Sequence, residues 1–118
     1  MEVMHISRVI MAENRPVAYL IDILPVNILS PRGLEDGFTG SVLDLLIQQY
    51  ESTVLSSRTE INAVTANSQV ARALGIQRGD VLLCFKADLF TKDGQTIDHS
   101  TSYFLPGYFR FHVVRRIG

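Results

Sequence analysis

The stretch VLLCFKADLFTKDGQTIDHSTSYFLPGYFRFHVVRR, residues 81–116, decides the fold. Its first ten residues are rich in β-branched and aromatic side chains, and an Asp-Gly pair at 93–94 then favours a tight hairpin turn. A Pro-Gly pair at 106–107 marks a second turn, because proline presets its φ angle and glycine accepts the left-handed conformation. The pattern therefore predicts three antiparallel strands in succession, the last of them over residues 109–116.

Side chains of different character alternate along the second of these strands. One face carries Thr96, Asp98, Ser100, Ser102 and Phe104, and the other carries Ile97, His99, Thr101, Tyr103 and Leu105. The polar row is either the solvent side of an ordinary sheet or the lining of a pocket that meets a ligand's hydroxyl or carboxylate groups. The pattern alone leaves both interpretations open.

A second hairpin is predicted at the start of the chain. Its strands are residues 3–11 and 16–24, and Asn14 tolerates the conformation needed in the turn between them. Residues 25–40 follow with two prolines and three glycines, too many for a long regular element. The apolar residues in this segment predict a loop that folds down as a flap.

Two helices and one further strand are predicted between the hairpins. The helices cover residues 41–50 and 68–74, with Ser41 and Asn67 as their N-caps and a glycine directly after the second. Residues 59–65 alternate with a period of two, which predicts a strand. Together the elements predict an α+β fold of one domain.

Composition narrows the class of protein. The 118 residues are 47% hydrophobic and 19% charged, which is typical of a single folded domain. A net charge of −1 provides no basic surface for strong nucleic-acid binding. The single cysteine, Cys84, and the lack of a signal peptide or a long apolar span predict a cytoplasmic protein without a membrane partner.

Catalytic and metal-binding motifs are missing from the sequence. The three histidines are scattered and there is one cysteine, so we expect neither a metal site nor a cofactor. Carboxylates at Asp22, Glu60 and Asp98 come from different elements, and the sequence does not set the distances between them. We therefore predict no catalytic residues.

Arg8 is unusual because it lies in an apolar strand between Ile6 and Val9. An arginine on the inward face of a strand needs a partner. The partner is either structural, at Asp22 or Asp98, or a ligand carboxylate or phosphate held by the guanidinium group.

Several segments then follow one another in a recognisable order. They are ISRV at 6–9, RPVAY at 15–19 with Leu24-Pro25, GSVLDLL at 40–46, ARALGIQRGDVLL at 71–83, DGQTIDHSTSY at 93–103 and FRF at 109–111. Their order and spacing resemble the UTRA domain, the effector-sensing module of HutC-type regulators in the GntR superfamily. The resemblance covers nearly all 118 residues.

This resemblance implies a chorismate-lyase-like fold, in which helices flank an antiparallel β-sheet, and a pocket for a small-molecule effector. It implies a homodimer that controls a winged helix-turn-helix DNA-binding domain and contacts DNA only through it. That domain and the family's first helix and strand are not in residues 1–118, so we expect an N-terminally truncated UTRA-like domain.

The resemblance also assigns ligand-binding residues. Arg8 matches an arginine that binds anionic ligands, Ser41 a serine at a helix N-terminus, and Asp98 an acidic residue that accepts hydrogen bonds from the ligand. Three positions depart from the sugar-phosphate sensors of the family: Ile10 replaces an arginine, Leu20 a glutamate and Leu43 an aromatic residue. With Ser100, Ser102 and Phe104 from the polar row, these residues predict a site for a smaller or more apolar effector with one anionic group.

Two other functions remain open at this point. The same fold hosts an enzyme that removes pyruvate from chorismate, so a chorismate-lyase-like activity is the alternative to a sensor. A third possibility is a dimerisation domain whose pocket binds no ligand.

Overall fold

The computed structural model describes residues 2–28, 42–50 and 55–118. The strands are β1 Val3–Ala12, β2 Arg15–Pro25, β3 Leu55–Thr65, β4 Val81–Thr91 and β5 Thr96–Phe104, and the helices are α1 Val42–Gln49 and α2 Ser68–Leu74. All five strands pair antiparallel in one sheet of order β1-β2-β5-β4-β3. The predicted α+β architecture is confirmed. Neither described helix is long and apolar enough to cross a membrane.

Two hairpins build the centre of the sheet, and both form where the sequence predicts them. The β1–β2 turn places Glu13 and Asn14 at φ angles of 51° and 61°, the left-handed pair that a two-residue hairpin requires. In the β4–β5 turn Gly94 has a φ of 83°, and the Gln95 carbonyl accepts a hydrogen bond of 2.9 Å from the Thr91 N–H. The hairpins meet where β2 pairs with β5.

Helix α2 seals one face of the sheet, and its ends match the prediction. The Asn67 side chain accepts a hydrogen bond of 2.9 Å from the Val70 N–H, and Gly75 ends the helix with a φ of 65°. The buried residues between this helix and the sheet are Tyr19, Ala66, Val70, Ala71, Leu74, Leu82 and Leu105. We call this group the α2 core.

Helix α1 covers the opposite face. Because side chains alternate along a strand, Leu24 on β2 lies on the face opposite to Tyr19. The second buried group consists of Leu24, Ile28, Val42, Leu46, Leu89 and Ile97. The Gln49 side chain also donates a hydrogen bond to the Ile28 carbonyl. The predicted Ser41 cap and the predicted flap beyond Ile28 lie outside the described residues.

The predicted strand over residues 109–116 is wrong. The chain after β5 forms a single bridge between Pro106 and Phe109 and then has no regular secondary structure. The reason is topological, because β5 lies between β2 and β4 and offers no free edge to a following strand. Phe109 and Phe111 instead pack on the ring of Phe104, with ring centroids 4.8 and 4.9 Å away.

Two local details also differ from the prediction. Strand β3 begins four residues earlier than predicted, because this edge strand is exposed on both faces and its first half lacks an alternating pattern. In β5, the pairing shifts so that Leu89 opposes Asp98 while Phe90 opposes Thr96. Ile97 is the extra residue of this bulge, and it therefore joins the core under α1 rather than the face predicted from strict alternation.

Candidate functional site

A cavity of about 230 Å³ lies between the sheet and the start of α1. Strand pairing creates it by bringing one row of side chains together from three strands. Arg8 on β1 opposes Leu20 on β2, and Leu20 in turn opposes Ser102 on β5. One step along, Asp22 opposes Ser100. Directly opposed residues on paired strands point to the same face of a sheet, and so do residues two apart on one strand. These side chains therefore share one sheet face.

A pair of buried carboxyl groups forms the floor of the cavity. Asp22 is 9% exposed and Asp98 is 5% exposed. They lie on neighbouring strands and share a side-chain hydrogen bond. Two carboxyl groups in such contact cannot both ionise without strong repulsion, so the pair retains a proton.

Burial is the main cause of the perturbed acidity of both groups. Burial, the hydrogen bond with Asp22 and the negative charges of Asp22 and Asp88 together raise the pKa of Asp98 to about 9, and burial is the largest of these causes. Burial also raises the pKa of Asp22, but the hydrogen bond from Asp98 and the positive charge of Arg8 oppose this effect. At neutral pH the pair therefore retains a proton, and the hydrogen bond and the charge of Arg8 favour its position on Asp98 over Asp22.

One oxygen of the pair is left without a hydrogen bond. Asp98 Oδ1 is fully buried, and no donor among the described residues reaches it. A buried acceptor without a donor costs about 1–3 kcal/mol.

Six of the nine predicted site residues line this cavity: Arg8, Leu20, Leu43, Asp98, Ser100 and Ser102. Ile10 and Phe104 are not among the lining residues, although both lie on the same sheet face, since each is paired with Ala18. Ala18 lies two residues before Leu20 on β2, so Ile10 and Phe104 belong to the next row of side chains, beyond the end of the cavity. Ser41 lies outside the described residues, directly before the first residue of α1.

Five lining residues were not predicted as part of the site: Asp22, Val42, Ser57, Ala87 and Leu89. Asp22 is the important one among them. It stands in the middle of the apolar run LIDIL at 20–24, and it lies two residues from Leu20, so the period of a strand places both on one face. That spacing was the signal that could have identified it.

A larger concavity of about 570 Å³ lies on the opposite sheet face. Its polar groups include Asp88 and His99, which pair with each other and whose side chains are 41% and 61% exposed. Water and this pairing satisfy these groups, so they gain little from a ligand. The smaller cavity is the better candidate because two buried carboxyl groups, Asp22 and Asp98, line it together with Arg8.

The described residues offer little for metal or thiol chemistry. No group of three or more histidine, cysteine, aspartate or glutamate side chains among them could hold a metal ion. Cys84 is buried as predicted, and burial raises the pKa of its thiol, which keeps it protonated and unreactive.

Fold and site together define an α+β domain with a small, partly polar cavity between a helix and an antiparallel sheet, which is a ligand-binding class of architecture. The family model of the UTRA domain matches residues 1–110. The chain therefore belongs to the UTRA domain family. Among curated proteins, no sequence matches it significantly.

Solved structures of transcriptional regulators have the same fold. A putative regulator from Streptomyces coelicolor is 27% identical, with a TM-score of 0.82 over 98% of this chain and 78% of the other. The effector binding domain of the Bacillus subtilis trehalose repressor is 17% identical, with a TM-score of 0.81 over 98% and 80%. The ligand-binding domain of a putative GntR-family regulator from Bordetella bronchiseptica is 19% identical, with a TM-score of 0.77 over 97% and 74%.

These matches confirm the predicted chorismate-lyase-like arrangement of an antiparallel sheet with flanking helices. They are matches to effector domains of regulators, and with the family they support a sensing role in transcription regulation.

Proposed function

We propose that this chain is the small-molecule-sensing and dimerisation domain of a HutC-type bacterial transcription regulator that acts in the cytoplasm. Effector binding in the cavity under α1 would change DNA binding by an N-terminal winged helix-turn-helix domain. The observation that carries the proposal is a cavity in a UTRA fold that holds Arg8 beside two buried carboxyl groups. Such groups are costly in a purely structural core, which favours a ligand-binding role.

The effector carries one anionic group, which Arg8 binds. A guanidinium group has five N–H donors, so Arg8 can offset the charge of Asp22 and still hold a ligand carboxylate. The neighbouring positions Ile10 and Leu20 are apolar and supply no second charge. The cavity volume is also below the range of about 300–1,000 Å³ that is typical of drug-sized ligands. Both features favour a small effector over a sugar phosphate.

Sensing requires that the effector bind one arrangement of the dimer more tightly than the other. Helix α1 is the element that can transmit the signal, because Val42 and Leu43 in its first turn line the cavity. Ser41 directly precedes this turn, and we propose that it also contacts the effector.

Isothermal titration of the domain with a panel of small carboxylates and phosphosugars tests the proposal. We expect a small carboxylate to bind, and Arg8→Gln to weaken its binding by at least ~10-fold because a charged hydrogen bond is lost. Arg15→Gln is the matched control, since Arg15 lies on the turn of the same hairpin and contacts the exposed Tyr108 hydroxyl. Tight binding of a phosphosugar would overturn the assignment of effector class, and binding by none of the compounds would overturn the sensing role.

The enzymatic alternative also has a structural argument, because a carboxyl group that stays protonated at neutral pH can act as a general acid. We propose that the domain is not an enzyme, in line with its matches to regulator effector domains. Incubation with chorismate should leave the compound intact. Release of pyruvate, lost in Asp98→Asn, would establish the lyase activity instead.

A further inference from the structure

The positive charge in the cavity lies close to a buried carboxyl group. Among the described lining residues, Arg8 is the only one with a basic side chain. Arg8 on β1 is directly opposite Leu20 on β2, and Asp22 lies two residues further along β2, the diagonal position that a long side chain can reach across a strand pair. Burial raises the pKa of Asp22, and the charge of Arg8 acts against this rise, as expected for neighbours. The guanidinium group therefore has a negative partner that belongs to the sheet itself.

The remaining charges around Arg8 come from β4 and β5. Asp98 on β5 shares a side-chain hydrogen bond with Asp22, and one proton held between two carboxyl groups leaves the pair with one negative charge. Asp88 on β4 lies beyond Asp98 and is half exposed on the opposite face. The described lining residues from α1 and β3 do not titrate: Val42, Leu43 and Ser57. The charge of Arg8 and that of the pair thus offset each other within the described lining.

We propose that Asp22 determines the charge of the effector: by offsetting Arg8, it makes the site select a monoanion, such as a carboxylate, over a dianion, such as a phosphate monoester. This inference rests on the proposed sensing function and names the residue that sets its ligand class. A monoanion can still bind, because the guanidinium group has five N–H donors and keeps some of them for a ligand after pairing with Asp22.

A dianion binds less well for an electrostatic reason. Its second charge would be buried beside a guanidinium group whose own charge is already offset by Asp22. A buried charge without a counter-charge is costly, and the nearby carboxylate repels it as well. Removing the charge of Asp22 would free the field of Arg8 and reduce this cost.

The size of the cavity is a competing explanation for rejection of phosphates. A sulfate monoester separates the two explanations, since it has nearly the same size and shape as the phosphate monoester but one negative charge. At pH 7.5 the phosphate monoester carries nearly two charges, because its second pKa is about 6. At pH 5 both esters are largely monoanions, so a preference based on charge should disappear.

Isothermal titration with these matched compounds tests the proposal. The probes are the ethyl, propyl and phenyl monoesters of sulfuric and phosphoric acid, together with propionate, butyrate and benzoate. Asp22→Asn removes the charge with little change of shape. Asp88→Asn is the matched control, because Asp88 is half exposed and pairs with His99 on the opposite face. Melting curves of both variants show whether they are folded.

For the natural domain at pH 7.5, we expect the best sulfate ester to bind at least ~10-fold more tightly than the phosphate ester of the same alcohol. At pH 5 the difference should fall below ~3-fold. Asp22→Asn should lose most of the preference at pH 7.5 through tighter binding of the phosphate ester, and Asp88→Asn should keep it. A residue with only a structural role would instead change the affinities of both esters alike.

Several results would overturn the proposal. Equal or tighter binding of the phosphate ester by the natural domain at pH 7.5 refutes it even if Asp22→Asn does not fold. An unchanged preference in folded Asp22→Asn shows that Asp22 is not the determinant, and binding of carboxylates with neither ester shows selection by shape. Each of these results leaves a small-molecule sensor. If no compound binds, the sensing role fails and the inference falls with it.

Discussion

The two faces of the sheet are both covered by a short helix but are used differently. Beneath α2, the side chains of Leu74 and Leu82 are 1% and 0% exposed, and the core around them is apolar. Beneath α1, an apolar group at one end adjoins a cavity with two buried carboxyl groups. The difference shows that this domain places its close packing on one face and its polar, incompletely filled space on the other.

Stability and binding are separable as a result. Burying a carboxyl group costs free energy, whereas each buried leucine of the α2 core contributes about 1.5–3 kcal/mol. The α2 core can therefore offset the cost of the site on the other face. Substitutions matched across the two faces should affect stability in one case and binding in the other.

The largest effect is expected for Leu74→Ala in the α2 core. Truncation of this fully buried side chain leaves a void, and we expect the free energy of unfolding to fall by about 2–5 kcal/mol. Denaturant unfolding followed by circular dichroism measures the change. Leu43→Ala is the control from the other helix, since Leu43 is 47% exposed and should lose less than ~1 kcal/mol. Similar losses at both positions would contradict the distinction between the faces.

Substitutions that enlarge a side chain should also distinguish the two faces of the sheet. Ala71 is buried in the α2 core, so Ala71→Leu should overpack it and cost about 1–3 kcal/mol. Ala87 lines the cavity, so the added atoms of Ala87→Leu should occupy open space with little change in stability, and effector binding should weaken at least ~10-fold. Unfolding and titration experiments on both variants measure this. A destabilised Ala87→Leu that still binds effector would show that the cavity is not the binding site.

The acidity of Asp98 predicts a pH dependence of stability. Its pKa rises from about 4 in the unfolded chain to about 9 in the folded domain, so the folded state holds the extra proton between these values. The contribution is complete below about pH 4 and is lost as the pH rises to about 9. We expect the melting temperature of the natural domain to fall from pH 5 to pH 9, and that of Asp98→Asn to fall less. Parallel melting curves for the two proteins would contradict the raised pKa.

The smallest effect concerns the cap of α2. Asn67→Ala removes the hydrogen bond to the Val70 N–H and should cost about 1 kcal/mol. Effector affinity should not change, because α2 lies on the face away from the cavity. Thermal unfolding and titration of the same sample provide both values, and a weakened affinity would reveal coupling between the faces.

Local features of the fold could be predicted from the sequence because short-range chemistry determines them. Asn14 in its turn, Asn67 and Gly75 at the ends of α2, and Gly94 in the second hairpin all lie where their backbone preferences indicate. The strand after Pro106 could not be excluded in the same way. Whether β5 has a free edge depends on its pairing with β2, about 80 residues earlier in the chain.

The site was predictable to the extent that alternation determines it. Asp98, Ser100 and Ser102 share a face because they lie two residues apart, and the cavity contains all three. The pairing of Asp22 with Asp98 depends on the register between β2 and β5, and no local pattern encodes that register. The resemblance to the UTRA domain predicted Arg8 and Asp98 as site residues, and both line the cavity, whereas Asp22 was placed there only by the assembled sheet.

A crystal structure of the domain with the tightest-binding compound of the titration panel would be the most direct test. We expect density for the compound in the cavity under α1, with its anionic group at the Arg8 guanidinium and the rest of the compound beside Asp98 and Ser102. Density on the opposite face, beside Asp88 and His99, with the cavity left unfilled, would contradict the assignment of the site.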